Sequence, residues 1–279
     1  MVQDVSIDDL KDHAKQLRKT AVTMVYEAQS GHPGGSLSAA DVVANLYYRE
    51  MRHKPEDPKW PDRDRFVLSK GHVAPVLYSA LALTGYVPME TIHTLRKYGS
   101  PFQGHPDSKK CPGVEISTGS LGQGISTAVG MALGLKRDGR DSRVYCLMGD
   151  GEMQEGQVWE AIQFAHSYEL DNFTVIIDDN NLQIDGFCSD IAPNLDFVKK
   201  LEAFGYEAVE IDGHDMQAIS DAFDAFRASK NGKPKGLVIK TTKGKGVSYM
   251  ENVAGWHGKA PNKEQYEQAM AELEKGLDK

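Results

Sequence analysis

Two short, nearly unbroken apolar runs constrain this chain most: Val144–Met148 within VYCLMG, and Phe173–Asp178 within FTVIID. Each is strand length. Neither alternates polar with apolar residues, which is the mark of a strand buried on both faces of a sheet. A helix-length segment, about 155–169, separates them. The pattern continues with strands at Ala208–Ile211 and Leu237–Lys240 and helices at about 194–204, 215–229 and 262–276. Strand, helix, strand at this spacing predicts βαβ units, hence an α/β fold with a parallel sheet and helices on both faces. No repeat, low-complexity tract or linker divides the sequence, so residues 1–279 read as a single domain.

The first half is less regular. Leu10, Ala14, Leu17, Ala21 and Met24 fall on one face of a helix over 7–28, with Ser6 placed to cap it. SGHPGGSLSAAD then reads as a loop, with Ser38 capping a helix over 38–51. A short strand at Phe66–Leu68 and helices over His72–Thr84 and about 89–97 follow. Residues 99–124 are loop-rich, and Ile125–Lys136 is a helix of small residues, suited to close packing at a partner or inside the core.

Composition narrows the function. Hydrophobic residues are 40% and charged residues 26%, an ordinary globular balance. A net charge of −8 does not suit a protein that coats nucleic acid or an anionic membrane. No apolar run spans a bilayer and residues 1–20 contain no apolar signal core. Cys111, Cys146 and Cys188 form no CxxC pair and read as packing residues of a protein in the reducing cytoplasm.

Ligands of a parallel sheet sit beyond the carboxyl ends of its strands. Two polar loops fall there: MGDGEMQEGQ at 148–157 and DDNNLQIDG at 178–186. Gly149 and Gly151 allow a tight turn and close approach of a ligand, and the N-terminus of the following helix favours an anion. The bare carboxylate of Asp150 would repel that anion unless a divalent cation lay between them. Asn180, thirty residues on, offers an amide oxygen, and a nearby carbonyl can add another. Such an all-oxygen set, completed by a polyphosphate, suits Mg²⁺. GDG by itself is an ordinary turn; the pairing with Asn180 gives it weight. No GxxxxGK[ST] is present, and no GxGxxG falls at a strand–helix junction, which argues against Walker-type and dinucleotide-binding sites.

The GDG…N spacing resembles the thiamine diphosphate motif, and the wider sequence is similar to the N-terminal, diphosphate-binding region of transketolases. The resemblance is carried in order by SGHPGGSLS (30–38), LSKGHVAPVLYSAL (68–81), GHPD (104–107), STGSLGQGIS (117–126), GDGEMQEGQVWEA (149–161), DDNNLQIDG (178–186) and KGKGVSYMENVAGWHGKAP (243–261). It implies that Asp150, Asn180 and the Leu182 carbonyl hold Mg²⁺, and that Gly149 and Gly151 admit the diphosphate. By the same resemblance, His72 contacts the diphosphate and Gly119-Ser120-Leu121 the aminopyrimidine. His32 and His257 contact substrate or cofactor, His105 lies near the substrate C1 oxygen, and Glu155, joined by Glu160, links paired active sites. Read without the resemblance, the histidines in Gly-Pro contexts are turn residues, Glu155 and Glu160 are acids favoured by a helix dipole, and Trp256 is a core anchor. The six lysines from Lys230 to Lys245, with no acid among them, read as solvated charges. His13, His53, His93, His166 and His214 read as surface or packing residues.

Transketolases are more than twice this length, and the resemblance implies that a separate C-terminal subunit supplies the pyrimidine-binding domain. KEQYEQAMAELEKG reads as an ordinary closing helix, so the chain is expected to be a whole subunit of a split transketolase in a two-plus-two heterotetramer, with a large apolar surface exposed when alone. Ketol transfer between sugar phosphates of the pentose phosphate type is the expected reaction. The alternatives are a subunit of another thiamine diphosphate enzyme, of dehydrogenase E1 or deoxyxylulose phosphate synthase type, and a non-catalytic protein that binds the cofactor.

Overall fold

The computed structural model describes residues 4–276. Its centre is a five-stranded, wholly parallel sheet in the order β1-β2-β3-β7-β6. The strands are β1 (Arg65–Leu68), β2 (Val144–Gly149), β3 (Phe173–Asp179), β6 (Glu207–Asp212) and β7 (Lys235–Lys240). A two-stranded hairpin, β4 (Leu182–Gln183) and β5 (Gly186–Phe187), stands beyond the end of β3. β2 and β3 are buried on both faces, as their unbroken hydrophobicity predicts.

Two layers of helices cover the sheet. On one face, α1 (Ile7–Ala28), α3 (Ala40–Asn45), α4 (Ala74–Leu83) and α9 (Met216–Ala228) share a core with Tyr145, Leu147, Ile176, Leu237 and Ile239. On the other, α5 (Gln123–Arg137), α6 (Gly156–Ser167) and α8 (Phe197–Ala203) pack on Val144, Cys146, Met148, Val175, Ile177 and Val238. Alternate residues of each central strand thus serve opposite cores. A third cluster joins α10 (Lys263–Lys275) to Leu37, Val247, Met250 and Trp256, which makes Trp256 a core anchor.

Several local expectations hold closely. All five apolar residues assigned to the inner face of α1 are buried, and Ser6 accepts the Asp9 amide at its N-cap. The three cysteines are buried and free.

Other expectations are corrected. SGHPGGSLSAAD is not all loop, because Pro33–Ser38 forms a short buried helix, α2. Pro33 opens it, and Gly35 lets it approach α4's leading turn so closely that a Cβ there would lie 2.5 Å from Val73 Cγ1. Tertiary packing therefore overrides the loop composition. Ser38 does not cap the next helix; its hydroxyl donates to the Gly35 carbonyl and, at 2.6 Å, to Asp178. The helix expected over 38–51 is α3 followed by a π-helical turn, Leu46–Glu50. Residues 89–97 yield only a 3₁₀ stretch, Met89–Thr94. The lysine-rich segment is not uniformly solvated. Lys235 is buried against Glu207 at 2.6 Å, and Lys243 is buried in the site described below. The hairpin β4–β5 and the short α7 (Cys188–Ile191) lie where the sequence shows only polar loop.

Candidate active site

Four parallel strands end on one side of the sheet, and each feeds a loop into a single cavity of about 370 Å³. β1 supplies Lys70 and His72, β2 supplies Gly149–Glu152, β3 supplies Asn180 and the hairpin, and β7 supplies Lys243. Strand order reverses between β3 and β7, so the helical layers part there and leave room for a ligand. The α1–α2 connection adds His32, the long loop before α5 adds His105, Gly119 and Leu121, and the loop after β7 adds His257.

The two loops singled out from the sequence face each other. Asp150 is buried, its Oδ1 accepts the Gly151 amide at 2.8 Å, and its Oδ2 has no partner among the described residues. Burial, then the charge of Asp178, pushes its carboxyl up to about 6. Asn180 Oδ1 accepts the Leu182 amide at 3.1 Å, while the Leu182 carbonyl accepts Lys243 Nζ at 2.8 Å. An unpartnered buried carboxylate oxygen beside an amide oxygen and a carbonyl is a donor set for a hard divalent cation. Among the described residues no group of three or more His, Cys, Asp or Glu could hold a metal ion. A metal here would need this mixed oxygen set and the ligand's own oxygens. At Gly149 only Lys70 Cδ, at 3.6 Å, lies near the place a Cβ would take, so the backbone is open to a close ligand.

The four histidines converge. The ring of His32 lies 5.3 Å from His72, 6.2 Å from His105 and 5.5 Å from His257, and His72 stacks on His257 at 4.8 Å. Burial is the largest cause that lowers every one of them. His32 falls to about 4, helped by Arg96, His105 and Lys243; His257 falls to about 3, helped by Lys243 and His32. His72 is held well below its ordinary value and His105 is also lowered. All four are neutral near pH 7. Lys243 Nζ donates to His257 Nδ1 at 2.9 Å, which places the ring's proton on Nε2. His32 Nδ1 is buried without a partner among the described residues, a polar atom left for a ligand.

These shifts predict a pH dependence. Between the lowered folded values and the ordinary unfolded value of about 6.5, the unfolded chain binds protons that the folded chain refuses. Stability then rises with pH. The contribution is complete above about 6.5 and is lost as pH falls toward 4. Thermal unfolding of the His32→Gln, His257→Gln chain should lose less melting temperature between pH 7 and 5 than the unsubstituted chain. Parallel profiles would show that these rings do not carry the effect.

Three further buried groups, not evident from the sequence as site residues, support the cavity. Asp178, at the end of β3, pairs with buried Lys70 and accepts Ser38, Thr241 and, at 3.3 Å, Asn180 Nδ2. Burial alone would raise its carboxyl, but the Lys70 ammonium holds it below the usual range. Glu152 accepts the Gly122 amide at 2.9 Å, the Gly149 amide at 3.2 Å and the Ser69 hydroxyl, tying the GDG loop to the loop before α5. Lys243, which its lysine-rich surroundings suggest is solvated, bridges Leu182 and His257. Burial brings it down to about 8. Its place at the head of KGKG, in a segment matching the family, is the one available clue.

Of the expected site residues, Gly119, Leu121, Gly149, Asp150, Gly151, Glu155, Asn180, Leu182 and the four histidines line this one cavity. Ser120 is exposed and not among the lining residues, and exposed Glu160 lies farther along α6, away from the cavity. Gly119 has φ +150°, and a Cβ there would lie 2.9 Å from His105 Cδ2, so glycine is required for the loop to pass the ring.

The comparisons with known proteins agree with this geometry. Residues 10–278 match the family described as transketolase, thiamine diphosphate binding domain. The chain is 43% identical over 267 residues to the 6-deoxy-6-sulfo-D-fructose transketolase subunit SqwG of Clostridium sp. (strain MSTE9), covering 96% of this chain and 97% of that protein. It is 42% identical over 275 residues to an apulose-4-phosphate transketolase subunit of Phocaeicola vulgatus, covering 99% of this chain and 97% of that protein. The crystal structure of transketolase from Campylobacter jejuni superposes with a TM-score of 0.92 at 38% identity, covering 97% of this chain but only 43% of that one. The chain thus spans less than half the length of that transketolase and nearly the full length of the two subunit relatives. The parallel sheet, the strand-end cavity and these matches place the chain in the transketolase family, as its thiamine diphosphate binding domain.

Proposed function

We propose that the whole chain acts as one diphosphate- and metal-binding domain, the N-terminal subunit of a two-chain transketolase. The observation that carries this reading is the cavity itself: an unpartnered buried Asp150 carboxylate oxygen and four neutral histidines face the same space. Thiamine diphosphate supplies the electron sink for cleaving and forming the bond beside a ketose carbonyl. The residues of this chain bind, orient and move protons around it.

In this reading Asp150, Asn180 and the Leu182 carbonyl hold Mg²⁺, Gly151 and His72 accommodate the diphosphate, and the segment Gly119-Ser120-Leu121 lies along the aminopyrimidine. His32, His105 and His257 contact the sugar's hydroxyls and the carbonyl oxygen. Neutral imidazoles suit that task, since each can donate from one nitrogen and accept at the other. The exposed positions of Ser120 and Glu155 suit contact with a second polypeptide.

The partner is inferred from the rim. Ile184, Phe187, Ile191 and Leu195 are exposed large apolar residues on the segment that follows β3, and exposed Leu121, on the loop before α5, lines the cavity together with Ile184. Apolar surface beside an open catalytic cavity is what a completing subunit would cover. On α5 the inner face, Gly124, Ile125, Ala128 and Ala132, is buried, while Gly130 and Gly134 face open space on the outer side. A two-plus-two heterotetramer fits this arrangement. Among the described residues no helix is long and apolar enough to cross a membrane.

The reaction assigned is transfer of a two-carbon ketol unit from a ketose phosphate to an aldose phosphate. The test is to co-purify the partner chain and assay transfer from xylulose 5-phosphate with Mg²⁺ and thiamine diphosphate. Turnover that needs both chains is expected. Pyruvate decarboxylation without ketol transfer would move the assignment to a dehydrogenase-type or synthase-type enzyme. Cofactor binding with no turnover by any partner would favour a binding protein.

A further inference from the structure

A relay of charge and hydrogen bonds, buried at Arg18 and Asp41 and half-buried at His214 and Thr242, lies beside the cavity without lining it. Arg18, wholly buried on α1, donates Nε to the Leu37 carbonyl at 3.1 Å and forks onto Asp41, with Nη1 to Oδ1 at 2.9 Å. Asp41 Oδ2 lies 2.7 Å from Nδ1 of His214, in the turn after β6. His214 Nε2 accepts the backbone N–H of Thr242 at 2.8 Å. A ring nitrogen that accepts from an amide carries a lone pair, so the His214 ring proton sits on Nδ1, directed at Asp41. Burial would raise the Asp41 carboxyl, but Arg18 and the hydrogen bond from His214 hold it below its usual value and keep it an acceptor. A carboxylate thus orients an imidazole, and the imidazole's target is a backbone amide.

That amide sits where β7 hands the chain to the site. The strand ends at Lys240, and Thr241 N–H still reaches the Asp179 carbonyl at 3.2 Å. Thr242 N–H has no backbone acceptor among the described residues, so His214 is what satisfies it. On either side of Thr242, Thr241 donates to Asp178 and Lys243 donates to the Leu182 carbonyl and His257.

We propose that His214, fixed in one tautomer by Arg18 and Asp41, is a positioning residue for the cofactor cradle: it pins the Thr242 amide and so holds Thr241 on Asp178 and delivers Lys243 into the cavity. This role rests on the cavity being the thiamine diphosphate site. His214 contacts none of the expected metal donors.

Two substitutions separate positioning from mere packing. His214→Asn retains an amide donor near Nδ1 but places no atom at Nε2. His214→Gln places a carbonyl oxygen near Nε2. Thiamine diphosphate with Mg²⁺ is titrated calorimetrically into the full chain, alone and with its partner, and exchange of the Thr242 amide is followed in the same variants. His214→Asn should weaken binding about five-fold or more, the ratio for one half-buried donor that loses its acceptor, and speed exchange at Thr242. His214→Gln should bind within about three-fold of the unsubstituted chain, the two variants melting alike. Unchanged affinity and exchange in His214→Asn would overturn the role. Equal weakening in both variants, in step with equal falls in melting temperature, would overturn it too. Failure of the unsubstituted chain to bind the cofactor would overturn the cofactor reading and this role with it.

Discussion

Replacing Asp150 by alanine is expected to abolish metal-dependent retention of thiamine diphosphate while leaving the chain folded. Among the described residues, Asp150 Oδ2 is the one buried carboxylate oxygen in the cavity without a partner, and it faces the place where a polyphosphate would otherwise meet an uncompensated negative charge. Partners that only orient a metal ligand are worth about 10–100-fold in affinity, so loss of the ligand itself should cost at least about 100-fold. The fold should not suffer. The Asp150 carboxyl is already pushed up to about 6 by burial and by Asp178, and its removal takes one charge out of a crowded pocket. Calorimetric titration with Mg²⁺ present and with excess chelator separates the two effects. A substituted chain that still needs Mg²⁺ and binds as tightly as before would remove Asp150 from the metal site.

The second large effect is on stability. Lys70→Met should leave Asp178 buried and without its cation at the carboxyl end of β3, where Ser38, Asn180 and Thr241 converge on it. Both members of the pair are almost fully buried. Breaking such a pair from one side costs about 3–5 kcal/mol, which for a chain of this size lowers the melting temperature on the order of 10 °C. The double replacement Lys70→Met, Asp178→Leu should recover part of the loss, because it also removes the stranded charge. If the single replacement melts within about 1 °C of the unsubstituted chain, the pair does not hold the strand ends together.

Asp178 also shows why part of the site is illegible in the sequence. In FTVIID it is simply the acid that closes an apolar strand, and nothing nearby points to Lys70, more than a hundred residues away. Glu152 is similar, since an acid four residues before a helix is common and its three donors come from three separate segments. Lys243 misleads for the opposite reason. Its lysine-rich neighbourhood suggests solvent, yet the chain turns inward after β7 and buries it. His214, which reads as a surface or packing residue, has partners on α3 and after β7. Each of these roles depends on contacts between distant segments, which local composition does not record.

The residues alone determined the sheet, because a strand with continuous hydrophobicity must be covered on both faces, and determined Asp150 and Asn180 as neighbours, because adjacent parallel strands end together. Tertiary structure alone decided the rest: which ring nitrogens are left free, which charges are paired out of reach of water, and which amide depends on an imidazole. Those outcomes follow from distance and burial across the sheet's edge, where four chain segments far apart in sequence meet.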